Sequence, residues 1–272
     1  MNIAPLEEVE LKAYLPLLLI LIFLRYGSAA ENERADYIRS HYAKYEYRIP
    51  MRDGSRLFTS VYVPKDASKR YPFLITRTPY SVGPYGVDAY RSSLGPSEHF
   101  EREGFIFVFQ DARGRYMSEG EFQQVRPHVP VKRGPQDVDE SSDMHDTIAW
   151  LLDHVPNHNG RAGLVGVSQP GFHVAASIID AHPALRAASP QAPTADYYLG
   201  DDVYHNGAFM LGANFGFYSS FRPRAGGPHL PVQEPRFDPG TPDAYEFFLS
   251  LPPLAEVNQK LFGGRAGYWQ EI

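Results

Sequence analysis

Short apolar runs alternate with amphipathic segments through the middle of the chain, and this alternation constrains the fold more than any other feature. Three runs look like strands that end in polar loops: residues 71–80 ("YPFLITRTPY"), 105–114 ("FIFVFQDARG") and 161–168 ("RAGLVGVS"). Strands that alternate with helices at this spacing imply right-handed crossovers and a mostly parallel sheet. The expected class is therefore α/β.

Helical patterns separate these runs. The clearest covers residues 137–155 ("DVDESSDMHDTIAWLLDHV"), with apolar residues on one face at Met144, Ile148, Leu151, Leu152 and Val155. Shorter ones cover residues 97–104 and 170–183, and residues 185–193 could form one more strand. Residues 45–64 alternate in the manner of an antiparallel hairpin that leads into the sheet. Residues 200–221 are predicted to be helical and aromatic, and residues 251–264 form another predicted helix.

Composition excludes several classes of function. With 272 residues, 43% of them hydrophobic, the chain suits a globular protein, and a formal charge of -6 indicates neither nucleic acid nor anionic membrane as a partner. The absence of cysteine excludes disulfides and thiolate chemistry. The ten histidines form no His-Glu-x-x-His pair, and no phosphate-binding or dinucleotide-binding glycine motif occurs, so we expect no metal and no cofactor.

The first thirty residues allow two interpretations. The apolar run at residues 13–24 is shorter than the roughly 20 residues that cross a bilayer, so no stable membrane span is expected. Small residues at Ser28 and Ala30 resemble a signal-peptide cleavage site, which would make the protein secreted or periplasmic. Acidic residues before the run argue against a signal, and the alternative is a buried apolar helix in a cytoplasmic protein.

The stretch "GLVGVSQPGF" at residues 163–172 places Ser168 between a predicted strand and a predicted helix. A nucleophilic serine at such a turn needs a strained backbone that raises its oxygen above the sheet, and Gly166 and Gly171 allow the strand and helix to approach closely. Pro170 suits a first helical turn. The alternative is an ordinary hydroxyl in a tight bend, because any close strand–helix turn favours glycine.

This stretch resembles the nucleophile element of one branch of the serine α/β-hydrolases: the α-amino-acid ester hydrolases, cocaine esterase and the X-prolyl dipeptidyl peptidases. Further segments resemble that branch in the same order: "MRDGSRLFTSVYVP", "RTPYS", "QDARGRYMSEGEF", "DTIAWLL" and "AHPALRAASPQAPTADYYLGDDVYHNGAF". The resemblance runs from about Tyr45 to the C-terminus. It implies an α/β-hydrolase fold and a small ester or short peptide as substrate.

Site residues follow from the resemblance. Ser168 corresponds to the acylated nucleophile. Tyr80 corresponds to a tyrosine whose hydroxyl helps to hold the oxyanion, and the second donor is the backbone N–H of Gln169. Asp202 corresponds to a carboxylate that helps to recognise a substrate's α-ammonium group; its alternative role is a helix N-cap. The branch usually has tyrosine where Gln169 stands, so the pocket wall loses an aromatic ring.

A larger departure from the branch than Gln169 concerns the catalytic partners of Ser168. A serine hydroxyl needs a histidine to take its proton and a carboxylate to orient that histidine, in the chain order serine, acid, histidine. The four histidines after Ser168 are each interpreted as structural: His173, His182, His205 and His229. The triad acid and histidine are therefore expected beyond Ile272, with the fold incomplete in this chain.

Three regions are expected: a signal peptide or apolar segment at 1–30, the first part of the hydrolase core at 40–198, and a truncated helical cap at 199–272. Two hypotheses about function follow. The chain belongs to a serine hydrolase that cleaves ester or amide bonds through an acyl-enzyme, or it is a catalytically disabled fragment or pseudoenzyme without the triad acid and histidine. The oligomeric state cannot be read from the sequence.

Overall fold

A six-stranded mixed sheet dominates the computed structural model, which describes residues 31–194, 196–200, 202–233 and 237–272. The strands are β1 (Tyr42–Pro50), β2 (Arg56–Pro64), β3 (Tyr71–Thr78), β4 (Ile106–Asp111), β5 (His158–Val167) and β6 (Leu185–Gln191). Their spatial order is β1-β2-β4-β3-β5-β6. Strands β1 and β2 form the expected antiparallel hairpin, and β3 to β6 run parallel. The α/β class is confirmed.

Helices cover both faces of the sheet. In chain order they are α1 (residues 31–41), α2 (Glu98–Glu103), α3 (Glu140–His154) and α4 (Gln169–Ser177). Helices α3 and α4 pack on one face through Met144, Ile148, Leu151 and Val174. Ile38 of α1 and Phe100 of α2 belong to the cluster on the opposite face. Both faces of the sheet are therefore buried over its central strands.

Strand β4 shows why the apolar run at residues 105–114 has no polar alternation. Successive side chains of a strand point to opposite faces. Ile106 and Val108 contribute to the cluster under α3 and α4, whereas Phe107 and Phe109 contribute to the cluster under α1 and α2. All six residues of β4 are buried, as a central parallel strand requires.

Buried ion pairs fix the start of α3 against the sheet. Asp139 caps the helix by accepting from Ser142 N, and Ser142 Oγ accepts from Asp139 N in return. Arg113, which follows β4, donates to Asp143 at 2.6 Å and to Asp53 at 2.7 Å. Because a buried carboxylate is costly unless it is paired, Arg113 stabilises this end of the helix.

The chain after the sheet is helical and aromatic, but it begins with a small hairpin. The elements are β7 (Tyr204–His205), β8 (Ala208–Phe209), α5 (Leu211–Tyr218), α6 (Ala244–Leu249), α7 (Leu254–Leu261) and a 3₁₀ turn at Gly267–Gln270. The prediction of helix over residues 200–221 is wrong before residue 211, where Asn206 and Gly207 have positive φ and form the hairpin turn. Helix α7 was predicted, whereas α6 was missed among proline-rich and glycine-rich sequence.

The predicted signal segment lies outside the described residues, so export stays a prediction. Within the described ranges, the helices are too short or too polar for any of them to cross a membrane.

Candidate active site at the carboxyl ends of the parallel strands

Ser168 occupies a strained turn between β5 and α4. Its φ is 63° and its ψ is -125°, a conformation that costs free energy in a residue other than glycine. Its N–H donates to Gln191 O at 3.0 Å, and its carbonyl accepts from Phe172 N at 3.0 Å. Bonds from a strand on one side and a helix on the other thus hold the strained residue in place.

Two glycines make this turn sterically possible. A Cβ on Gly166 would overlap the carbonyl oxygen of Pro170, in the first turn of α4. A Cβ on Gly171 would lie 2.5 Å from the carbonyl oxygen of Gln191, on β6. Real side chains do not tolerate such approaches to backbone atoms, so glycine is required at both positions.

One cavity joins the strand ends to the helical region. Strands β3, β5 and β6 are parallel and end at the same edge of the sheet, which is where open α/β sheets bind ligands. The cavity has a volume of about 240 Å³ and is open to solvent. Its described lining residues are Tyr80, Ser168, Gln169, Thr194, Tyr197, Asp202, Val203, Ala213, Asn214, Phe217 and Tyr218.

Tyr80 follows β3 and is held by its backbone and its ring. Its N–H donates to Thr78 Oγ1 at 3.1 Å, and its ring packs edge-on against Phe217 and Phe221, with centroids 6.3 and 5.6 Å away. Although 42% of the side chain is exposed, desolvation by this packing raises the pKa of Tyr80 to about 12, against the opposing charge of Arg115. Its hydroxyl therefore keeps its proton at neutral pH and can donate.

Gln169 presents two different groups. Its backbone N–H belongs to the first turn of α4, where helical amides have no intrahelical acceptor. Its side chain turns away from this role, because Nε2 donates to the carbonyl oxygen of Gln124. Gln169 and Tyr80 line the same cavity as Ser168, and an oxyanion hole would need the amide of one and the hydroxyl of the other.

The opposite wall of the cavity comes from the hairpin and α5. Asp202 precedes β7 and is the only charged residue among the described lining residues. The alternative role of Asp202 as a helix N-cap is wrong, because Met210 precedes α5 and a hairpin separates it from Asp202. Asn214 Nδ2 donates to the carbonyls of Val203 and Met210 at 3.1 and 2.8 Å, which leaves Oδ1 as the amide atom able to accept from a ligand.

None of the four histidines after Ser168 lines this cavity within the described residues. His173 is buried 2.9 Å from Glu140, His182 accepts from Ala184 N, and His205 is exposed on β7. His229 lies in a loop, with Nδ1 2.7 Å from Leu230 O. The structure thus brings together Ser168, Tyr80, Gln169 and Asp202 without a histidine among the described side chains around them.

Asp111 ends β4 behind the loop that carries Tyr80. It is fully buried, and its carboxylate accepts from Val82 N at 3.0 Å, from Tyr85 Oη at 2.9 Å and from Met117 N at 3.3 Å. Burial raises the pKa of Asp111 to about 7, although these bonds and the charge of Arg115 oppose the shift. Asp111 therefore ties the Tyr80 loop to the loop after β4.

One cluster away from the cavity has ligand atoms close enough for a metal. His128, Asp139 and Asp180 lie with their ligand atoms within 4.8 Å of one another. Lys132 Nζ already contacts Asp139 at 2.9 Å and Asp180 at 2.6 Å. An ammonium group between the carboxylates satisfies them, so this arrangement does not favour a cation.

Sequence reasoning missed most of the cavity wall. Asn214, Phe217 and Tyr218 line the cavity although they lie outside every motif quoted from the sequence. Thr194 lies within one of those motifs but was not singled out. The sequence signal for these residues was only the abundance of aromatic and amide side chains in the segment that follows the sheet. Their convergence depends on long-range packing of α5 against the strand ends.

Comparisons with known proteins agree with this geometry. The family model described as X-Pro dipeptidyl-peptidase (S15 family) matches residues 53–224, more than half of the chain. A cocaine esterase from Rhodococcus sp. (strain MB1 Bresler) is 33% identical over 169 residues, which are 62% of this chain and 27% of that protein.

Two solved structures support the expected α/β-hydrolase fold. An aminopeptidase from a marine sediment Thaumarchaeota archaeon superposes with a TM-score of 0.69 and 30% identity. An α-amino acid ester hydrolase superposes with a TM-score of 0.68 and 34% identity. Each alignment covers 85% of this chain and 37% of the other chain, so the chain spans little more than a third of those proteins. The resemblance noted in the sequence is confirmed: this chain belongs to the X-Pro dipeptidyl-peptidase (S15) family.

Proposed function

We propose that this protein is a serine hydrolase that cleaves ester or amide bonds through an acyl-enzyme on Ser168. The observation that carries the proposal is the strained Ser168, with φ 63°, at the edge of a cavity that Tyr80 also lines. Strain of this kind persists only where surrounding structure enforces it, and it is common at nucleophiles. The family membership supports the same chemistry.

The proposed reaction begins with attack of Ser168 Oγ on the substrate carbonyl carbon. The carbonyl oxygen becomes an oxyanion, which accepts hydrogen bonds from the Tyr80 hydroxyl and the Gln169 N–H. Collapse of this intermediate expels the alcohol or amine and leaves an ester on Ser168. Water then attacks that ester, passes through a second oxyanion in the same place, and releases the acid.

Both steps need a base that takes the proton from the attacking hydroxyl; the same proton then goes to the leaving alcohol or amine in the first step and to Ser168 Oγ in the second. Within the described residues no histidine lines the cavity. The sequence-based prediction of an acid and a histidine beyond Ile272 stays a prediction. The proposed activity is accordingly that of the whole protein.

The cavity favours a small acyl group that carries a positive charge. Its volume of about 240 Å³ lies below the roughly 300–1,000 Å³ of most drug-sized ligand sites. Asp202 gives it a negative charge, which also contributes to the raised pKa of Tyr80. Asp202 and Asn214 line the same cavity, and a carboxylate with an amide oxygen suits an α-ammonium group. The relatives named as an aminopeptidase and an α-amino acid ester hydrolase support such a substrate.

Labelling by a fluorophosphonate tests the proposal. Such a probe phosphorylates or phosphonylates only an activated serine, and peptide mass spectrometry locates the adduct. In protein produced from its complete gene, we expect the adduct on Ser168 and hydrolysis of α-amino acid p-nitrophenyl esters. Ser168→Ala should form no adduct, and its turnover should fall by about 10³-fold or more.

The matched control is Ser189→Ala, which changes an exposed serine on β6. It should keep both the adduct and the turnover. Unlabelled Ser168 in the folded protein, together with turnover that Ser168→Ala does not change, would refute the proposal and favour the catalytically disabled alternative.

A further inference from the structure

A buried chain of hydrogen bonds connects the residue after the nucleophile to the opposite wall of the cavity. At its centre is Gln124, in the loop between β4 and α3, whose side chain does not line the cavity. Gln169 Nε2 donates to the backbone carbonyl of Gln124, and Tyr218 Oη donates to Gln124 Oε1 at 2.9 Å. Gln124 Nε2 in turn donates to Glu271 Oε2 at 3.0 Å.

Three members of this chain of hydrogen bonds are buried, whereas Glu271 is exposed. The exposed fractions of Gln124, Gln169 and Tyr218 are 4%, 7% and 2%. Burial raises the pKa of Tyr218, so its hydroxyl stays protonated and serves as the donor to Gln124. A hydrogen bond that is buried in this way costs more to break than an exposed one, because both partners would stay desolvated.

The two ends of the chain of bonds belong to different walls of the cavity. Gln169 opens α4 beside Ser168, whereas Tyr218 ends α5 on the helical side. Both line the cavity. Tyr218 also interacts with Tyr197, in the segment after β6. The ring of Tyr80 packs against Phe217 of α5, and such a ring contact tolerates sliding better than a directional hydrogen bond does.

We infer that Gln124 is a positioning residue that sets the separation between the nucleophile and the α5 wall, and thereby the size of acyl group that Ser168 accepts. The inference rests on the proposed function, which it deepens by assigning the determinant of acyl size. Gln124 acts through Gln169 and Tyr218 and does not touch the acyl group itself.

The variant Gln124→Met tests this role with little change in volume. It keeps the backbone carbonyl that binds Gln169 but removes the acceptor for Tyr218. We measure labelling of Ser168 by two phosphonate probes, one with a methyl group and one with a benzyl group on phosphorus. Without this bond α5 can move away from Ser168 and leave room for a larger group. The ratio of the benzyl to the methyl labelling rate should therefore rise about fivefold or more.

Tyr218→Phe provides the second variant, because it removes only the hydroxyl from the same hydrogen bond. It should change the ratio in the same direction. The double variant should match Tyr218→Phe, because that variant already loses the contact with Gln124 together with the one to Tyr197. Gln123→Met is the matched control: this neighbouring glutamine is exposed, and its variant should keep the wild-type ratio. A purely structural role would slow both probes together without changing their ratio.

Hydrogen exchange of the α5 amides gives a readout that does not depend on chemistry at Ser168. Gln124→Met should speed exchange of residues 211–218, and Gln123→Met should not. An unchanged ratio, or unchanged α5 exchange, overturns the inference. If neither probe labels the wild-type protein, the proposed function fails, and α5 exchange alone decides whether Gln124 positions that wall.

Discussion

Arg115 Nε donates to the carbonyl oxygen of Pro79 at 3.0 Å, so a buried cation holds the peptide bond that leads into Tyr80. The same guanidinium donates to Arg222 O at 2.7 Å and lies 4.5 Å from the ring centroid of Phe221. Arg115 therefore links the loop after β3 to the helical region. Tyr80 is positioned from outside the cavity, before any substrate enters.

We expect Tyr80→Phe to lower the rate of Ser168 acylation by about 10²-fold or more, because it removes one of the two proposed donors to the oxyanion. The ring and its packing against Phe217 and Phe221 would remain. Stopped-flow measurement of acylation by a p-nitrophenyl ester gives this rate directly.

The pH profile of the wild-type enzyme offers a second check on Tyr80. Because its pKa is raised to about 12, the hydroxyl keeps its proton and donates until the pH approaches that value, so no activity should be lost near pH 10 through its ionisation.

Tyr45→Phe is the matched control for Tyr80→Phe, since Tyr45 is exposed on β1. Equal acylation rates in Tyr80→Phe and Tyr45→Phe would remove Tyr80 from the mechanism.

Gly166→Ala should destabilise the protein by about 3 kcal/mol or more, since a Cβ there overlaps backbone that has no room to move. The midpoint of urea unfolding measures the effect. Gly163→Ala is the control on the same strand, because its Cβ would lie 3.7 Å from its nearest neighbour, an ordinary contact. We expect that control to change stability by less than about 1 kcal/mol.

If the two alanine variants unfold at the same urea concentration, the close strand–helix approach is not a requirement of the turn. The contrast therefore tests the geometry of the nucleophile element without any assay of activity.

These contacts also show what the sequence could predict. The sequence signal of the turn at Ser168, with Gly166 and Gly171, lies within a few positions, and the strands follow local apolar patterns, so both were predictable. The bond from Ser168 N to Gln191 O is a longer-range contact that this signal does not contain.

The cavity wall was not predictable from the sequence: Tyr218 reaches Gln124 across 94 positions, and no local pattern encodes that contact. The hairpin before α5 was mistaken for helix because its apolar composition outweighed the turn signal of Asn206 and Gly207.

Asp202→Asn should reduce kcat/KM for α-amino acid esters by about 10-fold or more, because it removes the charge that would pair with the α-ammonium group. The corresponding N-acetylated esters carry no such charge and should be hydrolysed nearly as before. The measurement is the ratio of kcat/KM for the two substrates.

Asp88→Asn is the control for Asp202→Asn, since it removes the negative charge of an exposed residue that does not line the cavity. It should leave the substrate ratio unchanged. Equal losses on charged and acetylated esters in Asp202→Asn would contradict a recognition role and indicate damage to the cavity instead.

We expect the free energy of unfolding to fall as the pH rises, because Asp111 ionises. Burial raises its pKa from 3.8 to about 7 in the folded state. Between these values the folded protein keeps a proton that the unfolded chain has lost, so folding is favoured at the acid end of the range. Its contribution is complete below about pH 4 and is lost as the pH rises through about 7.

The variant Asp111→Asn removes this proton equilibrium, and its free energy of unfolding should fall less steeply between pH 4.5 and 7.5 than that of the wild type. The difference in slope has an upper limit of about 1.4 kcal/mol per pH unit for a single group. Urea unfolding at several pH values measures both slopes, with Asp88→Asn expected to keep the wild-type slope. Tyr85 and Arg115, which face the carboxylate, are unchanged in the variant, so identical slopes in Asp111→Asn and the wild type would mean that Asp111 is already ionised at pH 4.5.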